Sequence, residues 1–140
     1  MTEFRFYCPI QVRYGDLDAQ WHVNNARFNS YIEQGRFEYL LRLGLFDGVD
    51  FSSLGLIVAD VHITYLAPIE INHQVRVGVR TSRIGNKSLV FEYIVQDAAS
   101  GDLFAKAETV MVAYDYKSRQ SIPVSPEWRS TISTFEGVAF

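Results

Sequence analysis

One cysteine, Cys8, stands among 140 residues, so the chain has no partner for an intrachain disulfide and no thiolate set for a multi-cysteine zinc cage. That scarcity points to a reducing compartment. Cys8 lies in a strand-like stretch and reads as a small packed hydrophobe rather than a nucleophile. Nor is there an excess of positive charge: 13 Lys and Arg face 16 Asp and Glu, a formal net charge of −3. A dedicated nucleic-acid binder is thereby disfavoured, because its affinity comes from a basic face that releases phosphate counterions. Any anion site must be local. No run approaches the roughly 18 apolar residues of a membrane span, and residues 1–12 alternate with charges instead of forming a signal-peptide core. A cytoplasmic protein without membrane contact is expected. No internal repeat, low-complexity tract or linker divides the sequence, and its length suits a single domain over residues 1–140.

What is plentiful is aromatic. Ten Phe, eight Tyr and two Trp are a heavy share for this length, and large rings fill cores and permanent interfaces, so some of them are expected to face a partner. Phe4, Phe6, Cys8 and Ile10 recur at every second position, the period of a half-buried strand ending near Tyr14. Phe28, Tyr31, Ile32, Gly35, Tyr39, Leu40 and Leu43 then follow the 3.6-residue period, one stripe on a long helix from Ala26. Asn24 and Asn25 stand where an amide caps the first turn, and Gly44 marks the stop. Gly35, inside the stripe, suggests a helix lying closely on a sheet.

The remainder reads as strands: residues 56–66, a Val75-Val77-Val79 alternation, a Leu89-Phe91-Tyr93-Val95 alternation after the turn at Gly85, and residues 103–116. In the last of these the apolar run 110–113 predicts burial on both faces and an interior position. Ser125-Pro126-Glu127 predicts a short terminal helix over residues 128–134. The sum is an α+β domain: an antiparallel sheet of about five strands wrapped around or packed on one long α-helix.

Polar residues concentrate between the first strand and the long helix, where Arg13-Tyr14-Gly15-Asp16-Leu17-Asp18-Ala19-Gln20-Trp21-His22-Val23-Asn24-Asn25 brings two carboxylates, an imidazole and two amides to a helix N-terminus. Backbone N–H groups there lack intrahelical partners, so they can stabilise a developing oxyanion, while a nearby carboxylate attacks a carbonyl or activates water against it. By residue type alone, Asp-x-Asp before a helix also serves as a turn and cap device, and Asp16 fits a structural role, pairing with Arg13 or orienting the turn. Asp16, Asp18 and His22 include metal-ligand types, but neither His62 nor His73 is spaced to complete a site, so no metal is expected. His62, alternating with Asp60 and Thr64, reads as a satisfied, half-buried histidine. The helix tyrosines and phenylalanines read as core, with some lining a tunnel: Trp21, Phe28, Tyr31 and Phe37 are the residues that would shape one.

The Tyr-x-Asp-x-Asp-x-x-x-His-Val-Asn-Asn motif followed by an amphipathic helix resembles the 4-hydroxybenzoyl-CoA thioesterase-like family of hotdog-fold acyl-CoA thioesterases. The likeness extends over nearly the whole chain, including Tyr65-Leu66-Ala67-Pro68-Ile69 at a strand end and Gly85-Asn86-Lys87-Ser88 at a hairpin. It implies a hotdog fold, thioester hydrolysis, and a catalytic carboxylate at Asp18 acting as nucleophile or general base. It further implies a backbone N–H near Asn25 that polarises the thioester carbonyl, with His22 and Asn24 shaping and hydrogen-bonding the turn. Coenzyme A would be part of substrate and product, not a cofactor, and the assembly a homodimer, or a tetramer of two dimers. Arg76, Arg80, Arg83 and Lys87 are the candidates to meet its phosphates, against the plainer role of a solvated sheet face. Two other functions share the residue pattern: a hydratase or dehydratase acting on acyl thioesters, and a non-catalytic acyl-CoA-binding module.

Overall fold

The structure is a computed structural model and describes residues 4–140; Met1 to Glu3, part of the stretch weighed against a signal peptide, lie outside it. β1 (Phe6–Ile10) leads through a 3-10 turn at Tyr14–Asp16 into α1 (Asn25–Arg42). β2 (Leu56–Tyr65), β3 (Val75–Ile84), β4 (Ser88–Asp97) and β5 (Leu103–Asp115) follow, then a two-residue β6 (Gln120–Ser121) and α2 (Pro126–Glu136). The sheet is antiparallel in the order β1-β3-β4-β5-β2, with β6 added against the end of β5. The alternations in the sequence therefore locate the strands, although β1 is shorter than its pattern and α2 longer. Ser125 starts α2 by accepting the Trp128 N–H at 3.1 Å, and Gly137, at φ 70°, ends it.

α1 packs over β1 and β3. Its buried stripe of Phe28, Tyr31, Ile32, Gly35, Tyr39 and Leu40 matches the sequence period up to Leu43, which is instead the half-buried C-cap. Gly35 is there for a spatial reason: a Cβ on it would fall 2.8 Å from Val77 Cγ1 and 3.2 Å from Val79 Cγ2, so the helix backbone rests directly on β3. Tyr39 sits at the middle of the core, edge-on to both Phe6 and Phe91 at 5.7 Å, contacts each worth about 1 kcal/mol beyond the area they bury. Its hydroxyl donates to Glu136 at 2.6 Å, and the same carboxylate oxygen accepts the Thr81 N–H at 3.0 Å. β1 pairs with β3 only as far as Val79, so Glu136 takes up a strand N–H just beyond that pairing. Cys8 is buried and its thiol is pushed up to about 11, first by burial and then by the charge of Glu38, as suits a packed hydrophobe.

Two expectations change. Met111 and Ala113 of β5 are buried on the α1 side of the sheet, but Val110 and Val112 are only half-buried on the other. That outer side carries a charged surface, including Arg80, Glu92 and Glu108 at paired positions, which offers little apolar cover. β2 is the edge strand next to β5, and its side chains are exposed on both faces for most of its length. His62 is accordingly exposed opposite Glu108, not half-buried.

Candidate active site

The loop from Leu17 to Val23 closes on itself. Leu17 and Val23 form an isolated bridge, the Asp18 N–H donates to the His22 carbonyl at 2.9 Å, and the Trp21 N–H donates to the Asp18 carbonyl at 3.1 Å. Trp21 completes the turn at φ 65°, a left-handed conformation unusual for a bulky residue and a point of stored strain. The Val23 N–H bonds the Ile69 carbonyl at 2.9 Å, which pins the loop to the chain leaving β2. Asp18 is half-buried, and its Oδ1 accepts the Gln20 N–H at 2.8 Å.

Asn24 caps α1: its Oδ1 accepts the Ala26 N–H at 2.9 Å and its carbonyl accepts the Arg27 N–H at 2.8 Å. The first turn thus has partners for two of its N–H groups, while the Asn25 N–H has none among the described residues. A cleft of about 390 Å³ opens at this point, lined by Asp18, His22, Asn24 and Asn25 on one side and by Phe28, Tyr65, Ala67 and Pro68 on another. Tyr65 meets Phe28 edge-on at 5.1 Å and donates to the Asn25 carbonyl at 3.2 Å. The four motif residues therefore line one cavity.

Other assignments move. His22 ties the turn through its main-chain carbonyl; the residue lines the cleft, and its imidazole makes no hydrogen bond among the described residues. Trp21, with its left-handed backbone, is 67% exposed and does not line the cleft. Phe28 is in the wall as expected, whereas Tyr31 is not: it points its hydroxyl at Asp16 Oδ2, 2.7 Å away. Burial and that carboxylate both push the Tyr31 hydroxyl pKa upward, so it stays protonated as a donor. The side-chain cation of Asp16 is Arg27, at 3.7 Å, while Arg13 offers only its backbone N–H at 3.0 Å.

Phe37 belongs to a second hollow of about 520 Å³ further along α1, where it stacks on Phe51 and meets Phe46 edge-on. Among the basic residues, Arg76 donates to Gln96 at 2.7 Å and lies 3.8 Å over the Tyr7 ring, and Arg80 donates to Glu92 at 2.8 Å. Both are engaged by neighbours on the sheet. Arg83 and Lys87 are exposed and form no ion pair among the described residues. No group of three His, Cys, Asp or Glu side chains gathers as a metal-holding cluster among the described residues, and the His73 Nδ1 accepts the Glu70 N–H at 2.8 Å. Gln20, Tyr65, Ala67 and Pro68 were missed as wall residues; the Tyr-Leu-Ala-Pro run marks a strand end, but nothing local says which loop that end faces.

The profile of the thioesterase-like superfamily matches residues 12–132. Among curated proteins, the long-chain acyl-CoA thioesterase FadM of Escherichia coli K12 is 24% identical over 123 residues, covering 88% of this chain and 93% of that protein. Among solved structures, a thioesterase from Thermus thermophilus, complexed with coenzyme A and zinc, is 34% identical with a TM-score of 0.85, covering 98% of each chain. A 1,4-dihydroxy-2-naphthoyl-CoA thioesterase from Synechocystis, 21% identical over 91% of this chain and 94% of its own, shares the fold with a TM-score of 0.80.

Proposed function

The chain belongs to the thioesterase-like superfamily, and from that membership we propose that it is an acyl-CoA thioesterase on a hotdog-type single domain, releasing free acid and coenzyme A. One observation supports the mechanism: Asp18 and Asn25 line the same cleft, and the Asn25 N–H has no partner among the described residues. In this reading the thioester carbonyl oxygen accepts the Asn25 N–H at the positive end of α1, where preorganised donors favour the tetrahedral oxyanion. Asp18 either takes a proton from the attacking water or attacks the carbonyl carbon itself, forming an anhydride that water then opens. Either way the C–S bond breaks, coenzyme A leaves as thiolate and is protonated, and the acyl group gains a water oxygen. Asn24 supports the step by holding the first turn open, and His22 by closing the Asp18 turn.

Coenzyme A is substrate and product here, and no resident cofactor or metal ion is invoked, since Asp18 and the helix terminus supply both functions. Arg83 near the end of β3 and Lys87 in the turn after it, which form no ion pair among the described residues, are the better candidates for its phosphates than Arg76 and Arg80. No helix among the described residues is long and apolar enough to cross a membrane, and the lone buried Cys8 suits a reducing cytoplasm. Incubation with aryl, short, medium and long saturated acyl-CoA should liberate free thiol from at least one class. Failure across the panel, with micromolar binding of the same compounds, would replace hydrolysis with a binding role.

The aromatic content and the uncovered edge strand support a homodimer, alone or doubled into a tetramer. Val58, Val61 and Tyr65 lie on the α1 side of β2, by their pairing with buried β5 residues, yet are 42%, 42% and 45% exposed. α1 lies over β1 and β3 at the opposite edge, so a second copy can cover this strip and close the open side of the cleft at Tyr65. Val61→Asp is expected to halve the mass in sedimentation and lower turnover; a full-size, fully active variant would remove β2 from the interface.

A further inference from the structure

We infer that Tyr31 is a positioning residue for hydrolysis, acting through Asp16 to set the distance between the Asp18 carboxylate and the Asn25 N–H. The inference rests on the thioesterase reading and adds to it residues that do not line the cleft.

Asp16 is held on every side. Oδ2 accepts the Tyr31 hydroxyl at 2.7 Å and the Arg13 N–H at 3.0 Å, Oδ1 faces Arg27 Nε at 3.7 Å, and the main-chain carbonyl accepts the Asn24 N–H at 2.8 Å. Two of these partners, Arg27 and Tyr31, are side chains of α1, and a third, Asn24, is its N-cap. The loop is thus tied by one residue to the helix whose first turn presents the unpartnered N–H. From Asp16 the chain needs only Leu17, itself bridged to Val23, to reach Asp18. Any shift of Asp16 relative to α1 moves one end of the reacting pair against the other.

Tyr31 suits the task better than Arg27. Its ring is buried in the helix stripe, so the hydroxyl has little freedom, whereas the Arg27 side chain is half exposed and its contact is longer. A rigid donor on a packed element fixes an acceptor more closely than a mobile cation does. The device also gives a reason for a tyrosine, and not a phenylalanine, at a position whose ring packs beside Phe28.

The test uses Tyr31→Phe, Asp16→Ala and the double variant, with Asp18→Asn alongside, and measures kcat and KM for thiol release from one saturated acyl-CoA. Tyr31→Phe is expected to lower kcat roughly tenfold, well within the loss that an ångström of misplacement can cause, with KM within about twofold of the parent. The double variant should be no slower than Asp16→Ala, because the two residues act in series. Binding of a non-cleavable thioether analogue should be unchanged. Should Asp16→Ala not fold, Asp16→Asn replaces it: its amide oxygen still accepts the Tyr31 hydroxyl, and its kcat should stay within about threefold of the parent. Parental kcat in Tyr31→Phe, or losses that multiply in the double variant, would overturn the inference while leaving the catalytic reading intact if Asp18→Asn is inactive. Full activity in Asp18→Asn would remove that reading and this one with it.

Discussion

Replacing Asp18 by asparagine is expected to leave a folded protein whose thiol release is slower by on the order of 10³-fold, the scale on which a positioned carboxylate contributes to catalysis. The fold should tolerate the change. Among the described residues the only side-chain hydrogen bond of Asp18 accepts the Gln20 N–H at 2.8 Å, and an amide oxygen accepts it equally well. The backbone bonds to His22 and Trp21 are untouched. What disappears is the negative oxygen, and with it both the nucleophile and the base. Circular dichroism, melting temperature and acyl-CoA binding should remain near the parent values while kcat collapses. A variant within tenfold of the parent would mean that the reaction proceeds without this carboxylate. Asn25→Ala makes the complementary comparison: it should be far milder, because the donor assigned to the oxyanion belongs to the backbone and survives the substitution.

The second large effect lies far from the cleft. Glu136→Ala should cost about 3 kcal/mol of stability, since it removes a buried acceptor from two donors and leaves a void behind them. Tyr39 can still share a proton with Thr81 Oγ1 at 2.9 Å, but the Thr81 N–H, paired to Glu136 at 3.0 Å, has no replacement among the described residues. For a chain of this length that corresponds to a fall in melting temperature of about 10 °C. Glu136→Gln, which keeps an acceptor in place, should lose about 1 kcal/mol. Urea midpoints at a constant m-value would measure both, and an alanine variant within about 0.5 kcal/mol of the parent would show that water or a shifted backbone satisfies the strand end instead.

That network also marks where reading the sequence stops being sufficient. The two-residue alternations locate β3 and β4, and the 3.6-residue stripe locates α1 and the residues it buries, except that Leu43 is its half-buried C-cap, because both signals are local and repeat. Gly35 was legible for the same reason: a residue without a side chain in the middle of an apolar stripe implies a close neighbour. Glu136, by contrast, follows the expected end of the last helix, and nothing nearby indicates that it would be buried against Tyr39, 97 positions earlier.

The cleft divides in the same way. Asp18, His22, Asn24 and Asn25 are close in sequence and converge for that reason, whereas Tyr65 joins them through the sheet. Periodicity showed that Tyr31 faces inward, but not that its hydroxyl would find Asp16 rather than a ligand. The basic residues of β3 and the turn after it were visible as a set, and only cross-strand pairing separates Arg76 and Arg80, occupied by Gln96 and Glu92, from Arg83 and Lys87, which form no ion pair among the described residues.

The buried Cys8 has a practical side. Chromogenic disulfide reagents count coenzyme A as it leaves, and they react with thiolates they can reach. The protein's one sulfhydryl is 4% exposed, and burial pushes its pKa up to about 11, so at neutral pH it is expected to add almost no colour of its own. A folded sample should therefore give a flat baseline even at high enzyme concentration, and a rising blank would itself announce that the sheet around β1 has opened.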